Sequence, residues 1–379
     1  MKVVVGTVLM LVGLGAVACS DGGEAGGDSG GGGAGATRTI ERESIPDSRF
    51  KPQQLEDIID ELVTEVQSSE VPDDLTIGVV LKELTNFWRP VAVGANRAIG
   101  ELEVIGSVLG STAEERTVPE SVAEQKAFVE EQIESKVNGL AIAPHNEDLL
   151  DLMGTFSESG APMVTIDSDL PDSERAIYIG TDSIQAGITG GETMVEFLDG
   201  TEGRVLILGN TDPSWAGGYD RTNSAATIIE DAGNEVEIIN SVWVPDDEVE
   251  QIKAAIEDDS SGKPLVGMIG VFANAHALAT AAVELELEEM PVIVAFDFEP
   301  DTLSYMEEGI ISATHVQRQY YMGYMSVYLL FSINAIGLDK TKDILGDSLL
   351  HGFHLDTGLD VIRSNDLDEY NSFVDELGI

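Results

Sequence analysis

Two apolar runs in this chain end in an aspartate: Pro162-Met-Val-Thr-Ile-Asp167 and Pro291-Val-Ile-Val-Ala-Phe-Asp297. Each reads as a buried strand of a parallel sheet, and open α/β sheets bind ligands at the carboxyl ends of such strands. Two acids of this kind, one in each half of the chain, predict one site between two sheets. Other predicted strands are also followed by polar residues: Asn86, His145, Asn274 and, later, Gln317. Asp and Asn accept or exchange hydrogen bonds with neighbouring hydroxyls, and Gln carries both functions, a set that suits a polyol. Each residue alone is equally what a helix cap or a turn requires; the group of six is what points to a site.

Arg221 is the only basic side chain between Arg204 and Lys253. Its guanidinium, with five donors in a fixed fork, can neutralise Asp167 or Asp297 and still donate to sugar oxygens. The competing placement is a surface pair with Asp220 or Glu230. Trp88, Trp215 and Trp243 each follow an apolar run, where a ring can take the C–H face of a sugar or pack in a core. Signatures of catalysis are missing: no G-x-G-x-x-G after a strand, no P-loop, no H-E-x-x-H, no G-x-S-x-G. Five scattered histidines and one cysteine make no metal-ligand cluster, and neither a metal nor a cofactor is expected. The two aspartates could form a glycosidase pair, but that chemistry needs one raised pKa, and a nearby Arg221 would lower both.

The elements that must position these residues follow from length and patterning. With 379 residues, 43% of them hydrophobic, the chain can build two cores. Sixty-nine acids against 20 bases give a net charge of −49, which excludes nucleic acid as a partner and suggests a strongly hydrated surface. Residues 1–19 read as a targeting segment: Lys2, an apolar stretch, then Ala16-Val-Ala-Cys19. Small residues before a cysteine resemble a bacterial lipobox, which would make Cys19 the site of lipidation and a membrane tether; a plain secretory signal is the alternative. Residues 20–50 are expected to be a flexible Gly-rich tether. Within 51–74, the apolar stripe Leu55, Ile58, Ile59, Leu62, Val63 and Val66 predicts an amphipathic helix over 53–68 that packs on the body or docks a partner.

From residue 75 short apolar runs (76–81, 139–143, 162–166, 204–208, 266–271 and 291–296) alternate with helical patterns. One of these spans 121–136, with Ser121 and Glu124 as a capping box and Phe128, Val129, Ile133 and Val137 as its buried stripe. Repeated β-α-β units imply parallel sheets with right-handed crossovers. Length and the paired aspartate strands favour two sheets over one wide one.

At Thr76-Ile-Gly-Val-Val-Leu-Lys-Glu-Leu-Thr-Asn86-Phe-Trp88 the chain begins to resemble the periplasmic sugar-binding proteins of the ribose-binding type, which share their fold with LacI-type repressors. The likeness extends over 75–379 through Gly139 to Pro144, Pro162 to Asp167, Tyr178-Ile-Gly-Thr-Asp182, Phe296-Asp297, Ala313-Thr-His-Val-Gln317 with Met322-Gly323, and Asn365 to Tyr370. It implies an α/β fold of two Rossmann-like lobes, each a parallel sheet flanked by helices, joined by a three-stranded hinge. The N-terminal lobe would comprise 75–181 and 318–355, the C-terminal lobe 182–317 and 356–379, with crossings near Asp182, Gln317 and Asp356. Carried over residue by residue, Asn86 and Asp167 belong to the N-lobe wall, Arg221 and Asp297 to the C-lobe wall, and Gln317 to the hinge. Trp88 takes an aromatic stacking position, and Asn274, or its neighbour Ala273, a further ligand position. Lys82 replaces a small polar residue, Arg89 an aromatic, and Ser168 an arginine, departures that put ribose itself in doubt and leave room for an anionic sugar.

The function expected on these grounds is capture of a monosaccharide or related polyol by an exported, lipid-anchored, periplasmic or cell-surface monomer. It would deliver the ligand to an ABC-type transporter permease. The alternative receiver is a receptor kinase or chemoreceptor, and a sugar-processing enzyme is the reading from a different class. A signal segment in place of DNA-binding helices, together with the charge, excludes a repressor.

Overall fold

Apolar runs buried on both faces form the centres of two sheets, and the computed structural model describes them within residues 39–113, 117–258 and 260–379. The helices are α1 (Gln53–Val66), α2 (Trp88–Glu101), α3 (Val118–Ser135), α4 (Leu150–Ser157), α5 (Ser183–Leu198), α6 (Ala216–Asp231), α7 (Pro245–Glu257), α8 (His276–Glu284), α9 (Pro300–Glu307), α10 (Gln319–Ile336), α11 (Leu338–Leu345) and α12 (Leu367–Leu377). The strands are β1 (Thr76–Glu83), β2 (Ile105–Ser111), β3 (Gly139–Ile142), β4 (Met163–Ile166), β5 (Ile177–Gly180), β6 (Arg204–Gly209), β7 (Glu235–Asn240), β8 (Leu265–Gly270), β9 (Val292–Phe296), β10 (Ala313–Gln317), β11 (Leu349–Leu350), β12 (His354–Asp356) and β13 (Leu359–Arg363).

One sheet has the order β11-β12-β5-β4-β3-β1-β2 and the other β13-β10-β9-β8-β6-β7. Neighbours run parallel except β11 against β12 and β13 against β10. Each parallel sheet therefore carries one antiparallel edge strand that the β-α-β pattern did not announce. Chain crossings between the sheets lie side by side. The amide of Asp182 donates to the Asp356 carboxylate at 3.0 Å, the amide of Thr357 to the Gly180 carbonyl at 3.0 Å, and Arg318 Nη1 to the Thr357 carbonyl at 3.2 Å.

In the first lobe α10 is buried on nearly every face from Gln319 to Ser332, as a central helix must be. It meets α2 backbone to backbone: a Cβ on Gly323 would lie 1.9 Å from the Val91 carbonyl oxygen, and one on Gly94 2.0 Å from that of Tyr320. The amphipathic stripe of α1 packs inward, with Leu55, Ile58, Ile59, Leu62, Val63 and Val66 all buried. Its polar flank is anchored as well. Tyr321 Oη donates to Glu56 at 2.9 Å and Arg42 Nη2 to the same carboxylate at 3.0 Å.

Two expectations need correction. The tether over 20–50 does not extend into 39–50, where Ile40, Ile45 and Phe50 are buried and Arg42 is paired; residues 1–38, including Cys19 and its lipidation, lie outside the described residues. The helix placed at 121–136 is α3, starting at Val118, and its capping box is Thr117 with Glu120, whose carboxylate accepts from the Thr117 amide at 2.9 Å. Pro119 explains the earlier start, since its fixed φ suits a first helical turn and its missing N–H costs nothing there. Phe128 and Ile133 are only partly buried, while Val129 is fully so.

Gly323→Ala, by forcing α2 and α10 apart, is expected to destabilise the protein by about 1–3 kcal/mol. Urea unfolding followed by circular dichroism measures this, and an unchanged midpoint would contradict the close approach.

Candidate functional site

The same backbone device presents the two strand-end aspartates. Asp167 and Asp297 both sit at left-handed φ, 59° and 63°, a conformation that aspartate tolerates better than bulkier residues. In each case the aspartate amide donates to the next strand, Asp167 to the Ile179 carbonyl at 2.8 Å and Asp297 to that of His315 at 2.7 Å. In each case a hydroxyl then caps the aspartate carbonyl: Tyr178 Oη at 2.7 Å for Asp167, Thr314 Oγ1 at 2.6 Å for Asp297. With both main-chain groups fixed, the carboxylates are left to accept from side chains, Asp297 from Gln317 and Asp167 from Ser168.

On the C-lobe side a buried chain forms. Arg221, on α6, donates through Nη1 to the Val271 carbonyl at 3.0 Å and through Nη2 to Gln317 Oε1 at 3.2 Å. Gln317 Nε2 donates in turn to Asp297 Oδ1 at 3.2 Å, and the guanidinium carbon lies 5.2 Å from the centre of the Phe296 ring. Arg221 is thus no surface residue pairing with Asp220 or Glu230; it is 8% exposed. On the N-lobe side Lys82 Nζ donates to Ser168 Oγ at 2.6 Å, and Ser168 Oγ donates to Asp167 Oδ2 at 3.1 Å. The Lys82 ammonium also stands 5.4 Å from the centre of the Trp88 ring.

Charge couples the walls. Burial pushes the Asp167 carboxyl up, while Lys82 of its own lobe and Arg221 of the other pull it back. Burial raises Asp297 to about 6 against the opposing pull of Arg221 and the Gln317 hydrogen bond, with Asp167 adding repulsion. Burial draws Lys82 below its ordinary range, with Asp167 and Glu83 acting against it. Glu299, just beyond Asp297, is pushed to about 7 by burial and then by Asp297, Glu83 and Asp301.

The structure brings together Lys82, Trp88, Asp167, Arg221, Asp297 and Gln317. Trp88 is the buried first residue of α2. Trp215 stacks on Phe272 at 4.7 Å and 22°, next to the Val271 carbonyl that Arg221 holds, and Trp243 packs on the same Phe272 at 5.5 Å. Asn274 stands elsewhere: its amide donates to Ser241 Oγ at 2.6 Å and to Glu248, and with Trp243, Glu248 and His276 it lines a cavity of about 410 Å³ that none of Arg221, Asp297 and Gln317 reaches. Asn86 and Arg89 are exposed at the turn into α2. His145 is held by its backbone, whose amide donates to Gln125 at 2.9 Å. Sequence reasoning missed Tyr178 and Thr314, the hydroxyls that cap the aspartate carbonyls; their places on the neighbouring strands are visible only once register is known. Among the described residues no group of three or more His, Cys, Asp or Glu is placed to hold a metal ion.

A model of the periplasmic binding protein domain matches residues 77–336. The chain belongs to this family. A sugar-binding protein of a sugar ABC transporter from Bacillus halodurans shares 24% identity over 78% of this chain and 100% of its own, with a TM-score of 0.66. AraP, an arabinose-binding protein from Geobacillus stearothermophilus, shares 26% identity over 79% of this chain and 99% of its own, with a TM-score of 0.65. The XylFII–LytSN complex includes a chain 25% identical over 78% of this chain and 100% of its own, with a TM-score of 0.59. No curated protein sequence matches.

The raised Asp297 makes a pH prediction. Its folded-state pKa of about 6 lies above its ordinary value of 3.8, so the native state holds the proton longer and loses stability as pH rises between those values. The loss is on the order of 2–3 kcal/mol at neutral pH. Melting temperatures from pH 4 to 7 are expected to fall less steeply in Asp297→Asn than in the unmodified protein. Parallel curves would remove Asp297 as a source of the decline.

Proposed function

We propose that this periplasmic binding protein captures a monosaccharide or related polyol between its lobes and delivers it to an ABC-type sugar transporter. The observation that carries this reading is the chain Arg221–Gln317–Asp297 on one wall facing Asp167 and Lys82 on the other. A carboxylate accepts from two vicinal hydroxyls, a guanidinium donates to their oxygens, and the rings of Trp88 and Trp215 offer apolar faces for C–H groups. The arabinose-binding relative supports a sugar as ligand. The role requires no bond-making step, cofactor or metal, and a monomer suffices.

Closure is the mechanism. A ligand touched by both walls favours the closed arrangement by its differential contacts, and only that difference can move the hinge. Export and a lipid anchor at Cys19 would keep the lobes beside the permease. The pairing of a relative with LytSN supports a second reading, in which the closed form is presented to a receptor kinase or chemoreceptor instead.

A thermal-shift screen of pentoses, hexoses, sugar acids and polyols tests the assignment, with stabilisation expected from at least one pentose or hexose. If no compound in these classes raises the melting temperature, the sugar reading fails. For the ligand so found, Arg221→Ala is expected to weaken binding by about 2–5 kcal/mol in titration calorimetry while the folded spectrum is retained. Unchanged affinity would take Arg221 out of the site.

A further inference from the structure

We propose that residues 39–66 form a strap that ties the two lobes together and limits how far they open when no ligand is bound. The family match begins at residue 77, so the strap precedes the shared domain. One part of it holds the N-lobe. The apolar stripe of α1 packs against α10 and α11, Glu56 is gripped by Tyr321 and Arg42, and Arg97 Nη2 on α2 donates to the Glu43 carbonyl at 2.7 Å.

Another part holds α12, which follows β13 out of the C-lobe sheet. Arg49 pairs with Asp366 and, at 3.2 Å, with Glu369, while Ser48 Oγ donates to Glu369 at 3.2 Å. Phe50 meets Tyr370 edge to face, with ring centres 5.0 Å apart. The line of rings continues inward, because Tyr370 packs on Phe298 at 4.8 Å, and Phe298 is the residue after Asp297. A single short segment thus grips α10 of one lobe and α12 of the other, and Tyr370, which it touches, packs in turn on the neighbour of a cleft carboxylate.

Rotation about the three crossings displaces α12 relative to α10, so further opening must break the contacts of residues 48–50. Arg49 and Glu369 are half exposed and their ion pair is weak, but Phe50, Tyr370 and Asp366 are all at most 7% exposed. These contacts are made in the arrangement in which Arg221 and Asp167 act on each other across the cleft. The strap therefore favours that arrangement, and it biases an equilibrium that a ligand must also move.

The inference rests on the two-lobe hinge and on no particular ligand, so its test uses none. Spin labels carried on p-acetylphenylalanine at Glu130 of α3 and Glu230 of α6, both exposed, report the interlobe distance by double electron–electron resonance in the full chain. Arg49→Glu and Phe50→Ala are expected to raise the population of longer distances several-fold. Gln54→Ala, which removes only a bond to Ser348 of the N-lobe, is expected to leave the distribution unchanged. Arg49 is half exposed, so its variant keeps the fold even where Phe50→Ala lowers the melting temperature. Distributions for Arg49→Glu and Phe50→Ala that superimpose on the unmodified protein, or that shorten, would overturn the strap.

Discussion

A guanidinium withdrawn from water governs the cleft. Arg221 holds the Val271 carbonyl and the Gln317 amide with two of its donors, and its charge offsets the burial of Asp297 in its own lobe and of Asp167 in the other. Without it two buried carboxylates would repel each other across the gap, and one would have to take up a proton. The Phe296 ring beneath it excludes water on one side. One cation thus fixes the hydrogen-bond pattern of one wall and the charge balance of both.

Lys82 plays a smaller version of the same part on the opposite wall, reaching Asp167 through Ser168. The walls are therefore alike in composition, each a carboxylate on a strand end with a cation behind it and an aromatic ring beside it. They differ in rigidity. Arg221 is locked by two direct bonds to neighbouring groups, whereas the Lys82 ammonium is a single charge on a flexible stem, linked to its carboxylate through a hydroxyl.

How much of this was legible in the residues varies with burial. Strands at the sheet centres, such as β4 and β9, are apolar on both faces and were readable as runs ending in Asp167 and Asp297. Edge strands were not: β2 and β7 each bury only one residue fully and carry no such run. Arg221 stood out because no other base lies near it in sequence, and its burial followed from the resemblance; Lys82 was visible as a departure, but its link to Asp167 through Ser168 depends on packing between strands. Asn274 shows the limit in the other direction. A polar residue at a strand end has the right type for a ligand contact, yet here its amide is committed to Ser241 and Glu248. The stripe on α1 was readable as amphipathic, but nothing in its periodicity reveals that the residues before it reach α12.

The order of strands also has a consequence for how the chain acquires its structure. β11 and β12 complete the first sheet beyond β5, and β13 completes the second beyond β10, and all three lie after residue 348. Without that segment, both sheets end in bare strands with unpaired backbone groups, β5 in the first and β10 in the second. Both sheets are therefore completed by the same short stretch of chain, residues 349–363. A chain that lacked residues 349–363 would hold two incomplete edges at once.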